Sequence, residues 1–416
     1  MNRVSFILLI LLFSTNLFTR AQIVNTSGSL FDEITTVIAN MPGDSGNEYT
    51  HPTPAQLNSW GSVLSNLFNQ NYTKASDTAN AIGYNLERFI DTTAIENRTY
   101  YVLKTASANY WGTYIYYPSY SRQLVIQSPH PKKDVNTGKE GVFVFMETEA
   151  LFFALSGTSR CNSSSYSSCD GTTTVCSGSS ENYRISDLSH NVSTIFQTTT
   201  GIIFNRFSES HFIQLHGFAK QASDPYIILS NGTQITPSPD YISTFKTKLE
   251  NEDSALTFKL AHIDLSWTRL RGFYNTQGRL INASSDYCNA NATETHGRFI
   301  HMEQEKTRLR NDSTGWIKVA NALSNTFTST SLSSEEIKAK NKLKIYPNPG
   351  SNVVTIEENS SEEKELKIYN MLGQELSFKI KIVNYTYDKI TVNIENLPLG
   401  YYIFKLNTKS AKFQKH

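Results

Sequence analysis

Four polar residues of this sequence stand where predicted strands end, and their side chains are of the kinds that bind metals and move protons. His130 and Asp134 lie in the segment SPHPKKD, directly after the apolar run QLVIQ. His216 follows the run FIQL, and Glu303 lies at the end of RFIHME. Residues that follow several strands of an open α/β sheet can converge at one edge, although they lie far apart in the chain. Two histidines and a carboxylate are the ligand set of a catalytic zinc site with one open position.

The sequence therefore predicts Zn²⁺ held by His130, Asp134 and His216, with Glu140 as the reserve ligand in place of Asp134. A zinc ion in such a site lowers the pKa of water toward about 7 and polarises the carbonyl group of a substrate. Glu303 remains free for a catalytic role as the residue that moves the proton, provided that it reaches the water by a hydrogen bond. This combination predicts a hydrolase that acts on a carbonyl group.

Further polar residues could line the same pocket. Arg160, in GTSR after the apolar run LFFALS, could bind a substrate carboxylate through two parallel hydrogen bonds, or it could form a salt bridge that supports the neighbouring cysteine loop. In SDLSHN, Asp187 is expected to cap a helix, and His190 is expected to be structural or to support a ligand. His301 has the same strand parity as Glu303 and could share its face.

Composition and motifs argue against two classes of function and leave one alternative to a hydrolase. The charges nearly balance, with 38 Lys and Arg against 37 Asp and Glu, and no long basic run points to nucleic acid. No G-x-S-x-G motif occurs, which argues against a serine hydrolase with the usual nucleophile turn. The aromatic run YWGTYIYYPSY at 110–120 could stack on sugars, so a surface-displayed glycan- or protein-binding module without catalysis is the alternative function. Its alternation also fits a strand packed in the core.

Helical and strand-like patterns alternate through most of the chain. Apolar residues at helical spacing predict helices over 55–69 and 79–91, and a further helix over the run GVFVFMETEALFFAL. Strand-like runs such as YYVLK, QLVIQ, FIQLHGF and PYIILSNG lie between the helical segments. This alternation is typical of an α/β domain with a mostly parallel sheet flanked by helices. We expect this domain to span residues 22–327.

The order of these elements and polar residues resembles that of the zinc carboxypeptidases and the related N-formylglutamate and poly-gamma-glutamate amidohydrolases, over about residues 100–310. The shared features are a histidine and an acid after one strand, a histidine after a later strand and a glutamate on a late strand. Here the first pair reads His-x-x-x-Asp, where the carboxypeptidases have His-x-x-Glu. The resemblance implies a zinc carboxypeptidase-like fold and the hydrolysis of peptide or acyl-amino-acid substrates.

The N-terminus and the cysteines both indicate export. Residues 1–21 combine Arg3, an apolar run and a final small residue, as in a cleavable signal peptide. No later apolar segment approaches the roughly 20 residues of a spanning helix, so no transmembrane anchor is expected. The four cysteines are expected to form two disulfides in an oxidising compartment, and the sequence leaves all three possible pairings open. They are Cys161, Cys169, Cys176 and Cys288.

The end of the chain forms a separate predicted unit. Residues 328–342 are polar and typical of a linker, and short alternating strands over 343–416 predict a small all-β sandwich. Three motifs lie within it: YPNPG at 346–350, KIYNMLGQEL at 367–376 and ENLPLGYYIFKL at 395–406. In this order they resemble the C-terminal sorting domain of the type IX secretion system of Bacteroidetes. The resemblance implies binding to the type IX secretion machinery and a secreted or cell-surface location outside the outer membrane.

Overall fold

The computed structural model describes residues 23–329, 343–357, 366–370, 373–385, 389–406 and 409–416. The predicted signal peptide and nearly all of the predicted linker lie outside the described residues. The chain divides into two compact units, Met1–Thr330 and Ser331–His416. No helix among the described residues combines the length and the apolar character that crossing a membrane requires.

A large sheet flanked by helices forms the first unit. The strands of this unit are β1 (Val24–Gly28), β2 (Tyr84–Asp91), β3 (Arg98–Thr105), β4 (Thr113–Tyr116), β5 (Arg122–Ser128), β6 (Ala150–Leu155), β7 (Thr172–Thr173), β8 (Glu181–Asn182), β9 (His211–Gly217), β10 (Ile227–Ser230), β11 (Phe258–Leu260) and β12 (Phe299–Gln304). Strands β7 and β8 form a separate two-stranded sheet. The helices of this unit are α1 (Leu30–Asn40), α2 (Pro54–Phe68), α3 (Tyr72–Ala81), α4 (Thr137–Glu147), α5 (Ile195–Arg206), α6 (Tyr241–Glu252), α7 (Thr276–Ile281) and α8 (Ser313–Thr326).

The sheet has ten strands in the order β1-β2-β3-β4-β6-β5-β9-β12-β10-β11. Parallel pairs join β1 to β2, β6 to β5, β5 to β9, β9 to β12 and β10 to β11, and the other four pairs are antiparallel. The adjacent strands β6, β5, β9 and β12 are therefore all parallel to one another. Helix α4 supplies the crossover that joins the parallel neighbours β5 and β6. The prediction of a mostly parallel sheet flanked by helices is confirmed.

Helices cover both faces of the sheet, so that alternate residues of a central strand face different cores. Phe153 of β6 and Ile213 of β9 belong to a core with residues of α1, α4, α6 and α8. Their neighbours Phe152 and Phe212 belong to a second core with residues of α2, α3 and α5. Because successive side chains of a strand point to opposite faces, such strands consist of continuous apolar runs.

The helix predicted over 55–69 is present as α2, but the two other predicted helices each end early and give way to a strand. Residues 79–91 end helix α3 and then form β2, and Gly83, at φ 82°, turns the chain between them. The run GVFVFMETEALFFAL forms most of α4 and all of β6, with Glu149 at φ 48° between them. Every residue of β6 is buried. A run buried on both faces has no period that distinguishes a strand from a helix.

The second unit consists of short antiparallel strands in two sheets. Its strands are β13 (Lys344–Tyr346), β14 (Val353–Glu357), β15 (Leu366–Asn370), β16 (Lys381–Tyr385), β17 (Lys389–Asn393), β18 (Gly400–Leu406) and β19 (Lys409–Lys415). One sheet has the order β13-β14-β17-β16, and the other has the order β15-β18-β19. Val354, Ile356, Tyr402 and Phe404 alternate with more exposed residues and share one buried cluster. The prediction of a small all-β sandwich is confirmed.

Two disulfides hold a loop of the first unit that has little apolar content. Cys161 pairs with Cys176, and Cys169 pairs with Cys288. The predicted number of disulfides is confirmed, and the structure supplies the pairing that the sequence left open. We refer to residues 161–184, which include the hairpin of β7 and β8, as the stapled loop. The second disulfide joins this loop to the segment that follows α7.

A buried carboxyl–amide pair joins α4 to β12. The side chains of Glu140 and Gln304 are buried, and Gln304 Nε2 donates a hydrogen bond of 3.0 Å to Glu140 Oε2. Their other oxygens, both Oε1, have no hydrogen-bond partner among the described residues. A proton on Glu140 Oε1 would be donated to Gln304 Oε1 and would give both atoms a partner. A neutral carboxylic acid and an amide can form two hydrogen bonds in this way. Burial raises the pKa of Glu140 to about 8, although Arg310 and the amide of Gln304 favour the ionised form.

We predict that Glu140 makes the first unit less stable as the pH rises. Its pKa is about 8 in the folded state against an ordinary 4.5, so unfolding releases a proton between these values. Glu140 should therefore lower the free energy of unfolding by about 1.4 kcal/mol for each pH unit across most of that interval. Glu140→Gln keeps two hydrogen bonds with Gln304 and removes the titration. The free energy of unfolding of the variant should fall less steeply with pH than that of the wild type. At pH 8 it should also be higher than that of the wild type.

Denaturant unfolding followed by tryptophan fluorescence measures this difference. All four tryptophans belong to the first unit, so the signal reports on that unit within the full chain. An equally steep pH dependence in the wild type and in Glu140→Gln would contradict the prediction.

Candidate metal centre

The structure brings His130, Asp134 and His216 together at the carboxyl ends of β5 and β9. His130 and Asp134 lie in the turn between β5 and α4, where the Asp134 amide donates to the His130 carbonyl at 2.9 Å. His216 is the next-to-last residue of β9. Asp134 Oδ2 lies 3.3 Å from His130 Nδ1 and 3.4 Å from His216 Nδ1. All three residues are buried.

A protein oxygen engages the Nε2 atom of each of these histidines. His130 Nε2 lies 2.8 Å from Asp187 Oδ1, and His216 Nε2 lies 2.8 Å from Gln214 Oε1. The orientation of the Gln214 amide is fixed, because its nitrogen donates to two further glutamine oxygens at 3.0 and 3.1 Å. Both histidines are therefore protonated at Nε2. In their neutral forms both carry the lone pair of Nδ1 on the side of Asp134, and His130 Nδ1 also lies 3.3 Å from the donor Arg160 Nη1.

His130, Asp134 and His216 form a donor set that could hold a metal ion, and the two separations from Asp134 Oδ2 match those between zinc ligands. Ligand atoms about 2.05 Å from zinc stand about 3.3 Å apart when the angles are tetrahedral. The separations measured from Asp134 Oδ2 are 3.3 and 3.4 Å. Metal-binding histidines also donate their second ring N–H to a carboxylate or carbonyl oxygen, as His130 does to Asp187 and His216 to Gln214. The set provides three protein ligands and leaves the fourth position to the cavity.

Asp187 connects the donor set of His130, Asp134 and His216 to Arg160. Asp187 Oδ2 accepts hydrogen bonds from Arg160 Nε, at 2.8 Å, and from Arg160 Nη2, whereas Oδ1 also faces His190 Nδ1 at 2.9 Å. The prediction that Asp187 caps a helix is wrong, since it precedes a 3₁₀ turn, Leu188–His190, without accepting a capping hydrogen bond. Because the charges of Arg160 and Asp187 offset each other, the carboxylate of Asp134 is left to balance a cation.

Burial and neighbouring charges set the pKa values of the donor set. Burial and Arg160 act to lower the pKa of His130, but the carboxylates of Asp187 and Asp134 raise it above its ordinary value. Burial lowers the pKa of His216 to about 4. Burial acts to raise the pKa of Asp134, but the two histidines hold it below its ordinary range. An ionised Asp134 and a neutral His216 are the protonation states that bind a metal.

Glu303 and His301 lie beside the donor set on β12. Glu303 is in register with His216 of the parallel strand β9. His301 Nε2 lies 3.8 Å from Glu303 Oε1, and the His301 ring centroid lies 4.4 Å from that of His216. Glu303 Oε2 and His301 Nδ1 have no hydrogen-bond partner within the described part of the chain. Burial, helped by the charge of Asp134, raises the pKa of Glu303 to about 8, which suits a group that exchanges protons.

Other combinations of the same side chains could also approach a cation. The groups of ligand atoms that lie within 4.8 Å of one another are His130, Asp134 and His216; His130, Asp187 and His190; and His216, His301 and Glu303. The second group is a poor donor set, because Arg160 already binds Asp187. Glu140 belongs to none of the groups found among the described residues, since it pairs with Gln304.

A cavity of about 310 Å³ lies beside the donor set. Its lining includes His130, His190, His216, His301, Glu303 and Arg160. One wall belongs to the stapled loop, where the Tyr183 ring stacks on His190 at 3.6 Å between centroids. The other wall belongs to residues 268–274. Sequence reasoning missed this second wall, because the segment has no regular period. Its one signal is Gly272, which has φ 67° and lies so close to His301 that a Cβ would stand 2.8 Å from the ring.

The aromatic run at 110–120 is part of the core. Trp111, Tyr114 and Tyr116 are buried and belong to the second core of the first unit. Tyr117 is also buried and packs on Tyr100, with 4.8 Å between the ring centroids. These rings are therefore not an exposed platform on which sugars could stack.

Two solved structures show low similarity to the chain. The Ig1 domain of mouse SynCAM 2 aligns with a TM-score of 0.15 and 13% identity, over 18% of this chain and 93% of that one. The N-formylglutamate amidohydrolase of Ralstonia eutropha JMP134 aligns with a TM-score of 0.32 and 8% identity, over 52% of this chain and 95% of that one. Similarity this low identifies neither a fold nor an activity. No curated protein matches the chain.

The second unit has a clear family. A family model for the "Secretion system C-terminal sorting domain" matches residues 344–416. This match covers the three motifs YPNPG, KIYNMLGQEL and ENLPLGYYIFKL, and the residues that it spans form the two antiparallel sheets. The C-terminal unit is therefore a type IX secretion sorting domain, and the protein is exported to the cell surface or secreted.

Proposed function

We propose that the exported protein is a zinc-dependent hydrolase of amide bonds, either carboxypeptidase-like or acting on N-acyl or gamma-glutamyl compounds. The observation that carries this proposal is the convergence of His130 Nδ1, Asp134 Oδ2 and His216 Nδ1, with separations of 3.3 and 3.4 Å, beside a cavity. Three protein ligands with one open position are typical of catalytic zinc, whereas structural zinc has four protein ligands.

The residues around the donor set would have different roles in hydrolysis. When bound, zinc supplies Lewis acidity, which activates a water molecule and polarises the amide carbonyl. Glu303 would accept a proton from the attacking water and pass it to the leaving nitrogen. Arg160, which lines the cavity next to His130, remains the predicted substrate contact. Its positive charge would stabilise the negative charge that develops on the carbonyl oxygen.

The first prediction of this proposal separates metal binding from proton transfer. His216→Ala should lose most of the bound zinc, because a ligand is missing. Glu303→Gln should keep the zinc and lose turnover, because an amide of the same shape cannot carry the proton. Loss of general acid–base help lowers rates by about 10²–10⁴-fold. Elemental analysis and hydrolysis rates on a panel of peptides, gamma-glutamyl compounds and N-acyl amino acids measure the two effects.

His211→Ala is the matched control, since His211 lies at the other end of β9 and packs on Tyr241 and Phe327. Its zinc content should equal that of the wild type. Undiminished zinc in His216→Ala or an undiminished rate in Glu303→Gln would refute the proposal. Wild-type protein that binds no metal would favour the non-catalytic binding module.

A further prediction concerns Gln214, whose Oε1 lies 2.8 Å from His216 Nε2. Gln214→Met should weaken zinc binding about 10–100-fold. The His216 ring would lose the acceptor that fixes its orientation and keeps the proton on Nε2. Gln123→Met is the control, since Gln123 lies near the start of β5, at the opposite end of that strand from His130. Competition with a chelator of known affinity measures both variants. Equal zinc affinities for the two would contradict the assigned role of Gln214.

The sorting domain generates a prediction about location. A chain without residues 343–416 should remain in the periplasm of the native host, because it lacks the part that the type IX machinery recognises. The first unit should still fold, since it has its own cores. Cell fractionation locates the truncated protein, and circular dichroism checks its fold. Truncated protein at the cell surface in normal amounts would show that export does not depend on this domain.

A further inference from the structure

The first unit has another cavity, which shares no lining residue with the cavity beside the donor set. Its volume is about 400 Å³, and its walls come from α1, the start of β2, the end of β3 and residues 110–113 and 157. Three of the residues that line it are charged: Glu33 of α1, Glu87 of β2 and Lys104 of β3. Two carboxylates therefore share this space with a single ammonium group.

The three charged side chains hold one another in place. Lys104 Nζ lies 2.6 Å from Glu33 Oε1 and 2.8 Å from Glu87 Oε2. Burial acts to lower the pKa of Lys104, but the hydrogen bonds and charges of the two carboxylates raise it above its ordinary value. The lysine therefore stays charged. Two negative charges against one positive charge leave the cavity with a net negative charge that no lining residue neutralises.

Glu87 is directed to this cavity by the strand that carries it. It lies on the face of β2 that carries Phe89, and this face packs against the core that includes residues of α1. Glu87 is only 9% exposed and lines the cavity. Glu87 Oε1 and Glu33 Oε2 accept no hydrogen bond from any residue that the structure describes. Because the polar atoms of buried side chains normally have hydrogen-bond partners, these oxygens are suited to a ligand that donates hydrogen bonds.

The wall at 110–113 packs backbone against backbone on the segment that ends β6. Tyr110 has φ 54°, which is unfavourable for a bulky residue and persists where the surrounding structure enforces it. A Cβ at Gly112 would collide with the carbonyl oxygen of Leu155. A Cβ at Gly157 would likewise collide with the carbonyl oxygen of Tyr110. This wall is therefore in place before a ligand arrives, which reduces the cost of binding.

We propose that this cavity binds a primary ammonium group, either of a free amine or of a lysine side chain. An ammonium group offers three donors and no acceptor, so it can donate to the oxygens of Glu33 and Glu87 and neutralise the excess charge. Val37 and Met41 provide an apolar part of the wall for the alkyl chain. This site is separate from the donor set, so the proposal does not rest on the hydrolase function.

Titration of the full chain with n-butylammonium chloride at low ionic strength tests this proposal, and 1-butanol is the neutral counterpart of the probe. Glu33→Gln should weaken binding of the ammonium ion about 5-fold, which is the effect of one unit charge at about 4 Å in water. Lys104→Gln should strengthen it by a similar factor, because a like charge is removed. A merely structural role of Lys104 would not produce tighter binding. Ligand-observed NMR gives the dissociation constants.

Glu250→Gln is the matched control. Glu250 also lies on a helix and pairs with a lysine at 2.6 Å, and its side chain is 37% exposed against 36% for Glu33. Its affinity for n-butylammonium should stay within about 2-fold of the wild type. Equal losses in Glu33→Gln and Glu250→Gln would overturn the proposal. So would a wild type that binds n-butylammonium no more tightly than 1-butanol.

A second titration, with Nα-acetyl-lysine N-methylamide, separates the two sources of the ammonium group. Binding as tight as that of n-butylammonium, with the same dependence on Glu33, would assign lysine side chains of peptides or proteins as ligands. Binding of n-butylammonium alone would assign a free amine. Neither titration uses zinc or turnover, so the outcome is independent of the hydrolase proposal.

Discussion

The buried carboxylate of Asp187 is the interaction on which the whole site depends. It accepts hydrogen bonds from Arg160 and faces the rings of His130 and His190, so three groups from separate segments are oriented by one side chain. Burial acts to raise the pKa of Asp187, but Arg160 and the histidines hold it well below its ordinary value. Loss of this carboxylate would leave the guanidinium of Arg160 buried without a counter-charge, which typically costs about 3–5 kcal/mol.

The register of β9 and β12 is the second constraint. Parallel pairing sets Glu303 beside His216 and His301 beside Gln214, with all four side chains on the face of the sheet that carries Phe212. A slip of one residue would move every side chain of β12 to the opposite face and bury Glu303 in the other core. The apolar residues that alternate along these strands therefore fix the chemistry as well as the packing.

The sequence predicts that polar residues at the ends of several strands lie close together, and the structure places them so. Parallel strands finish at a common edge, so polar residues that follow apolar runs meet there, as the two histidines, Asp134 and Glu303 do. Asp187 was wrongly predicted to cap a helix, because SDLSHN has the features of a cap and its actual partners Arg160 and His130 lie 27 and 57 residues away. The wall at 268–274 is irregular, and its place beside His301 depends on tertiary packing. The smaller unit was predictable because its motifs are specific.

The stapled loop bears on where the protein matures. Serine, threonine and glycine dominate it, so cross-links hold this wall of the cavity in place of an apolar core. Arg279 joins the two walls, because it binds Asp170 at 2.6 Å and the Phe273 carbonyl at 2.9 Å. Disulfides form in oxidising compartments and not in a reducing cytoplasm. Newly made chains therefore acquire the cross-links that hold this wall only after they leave the reducing cytoplasm.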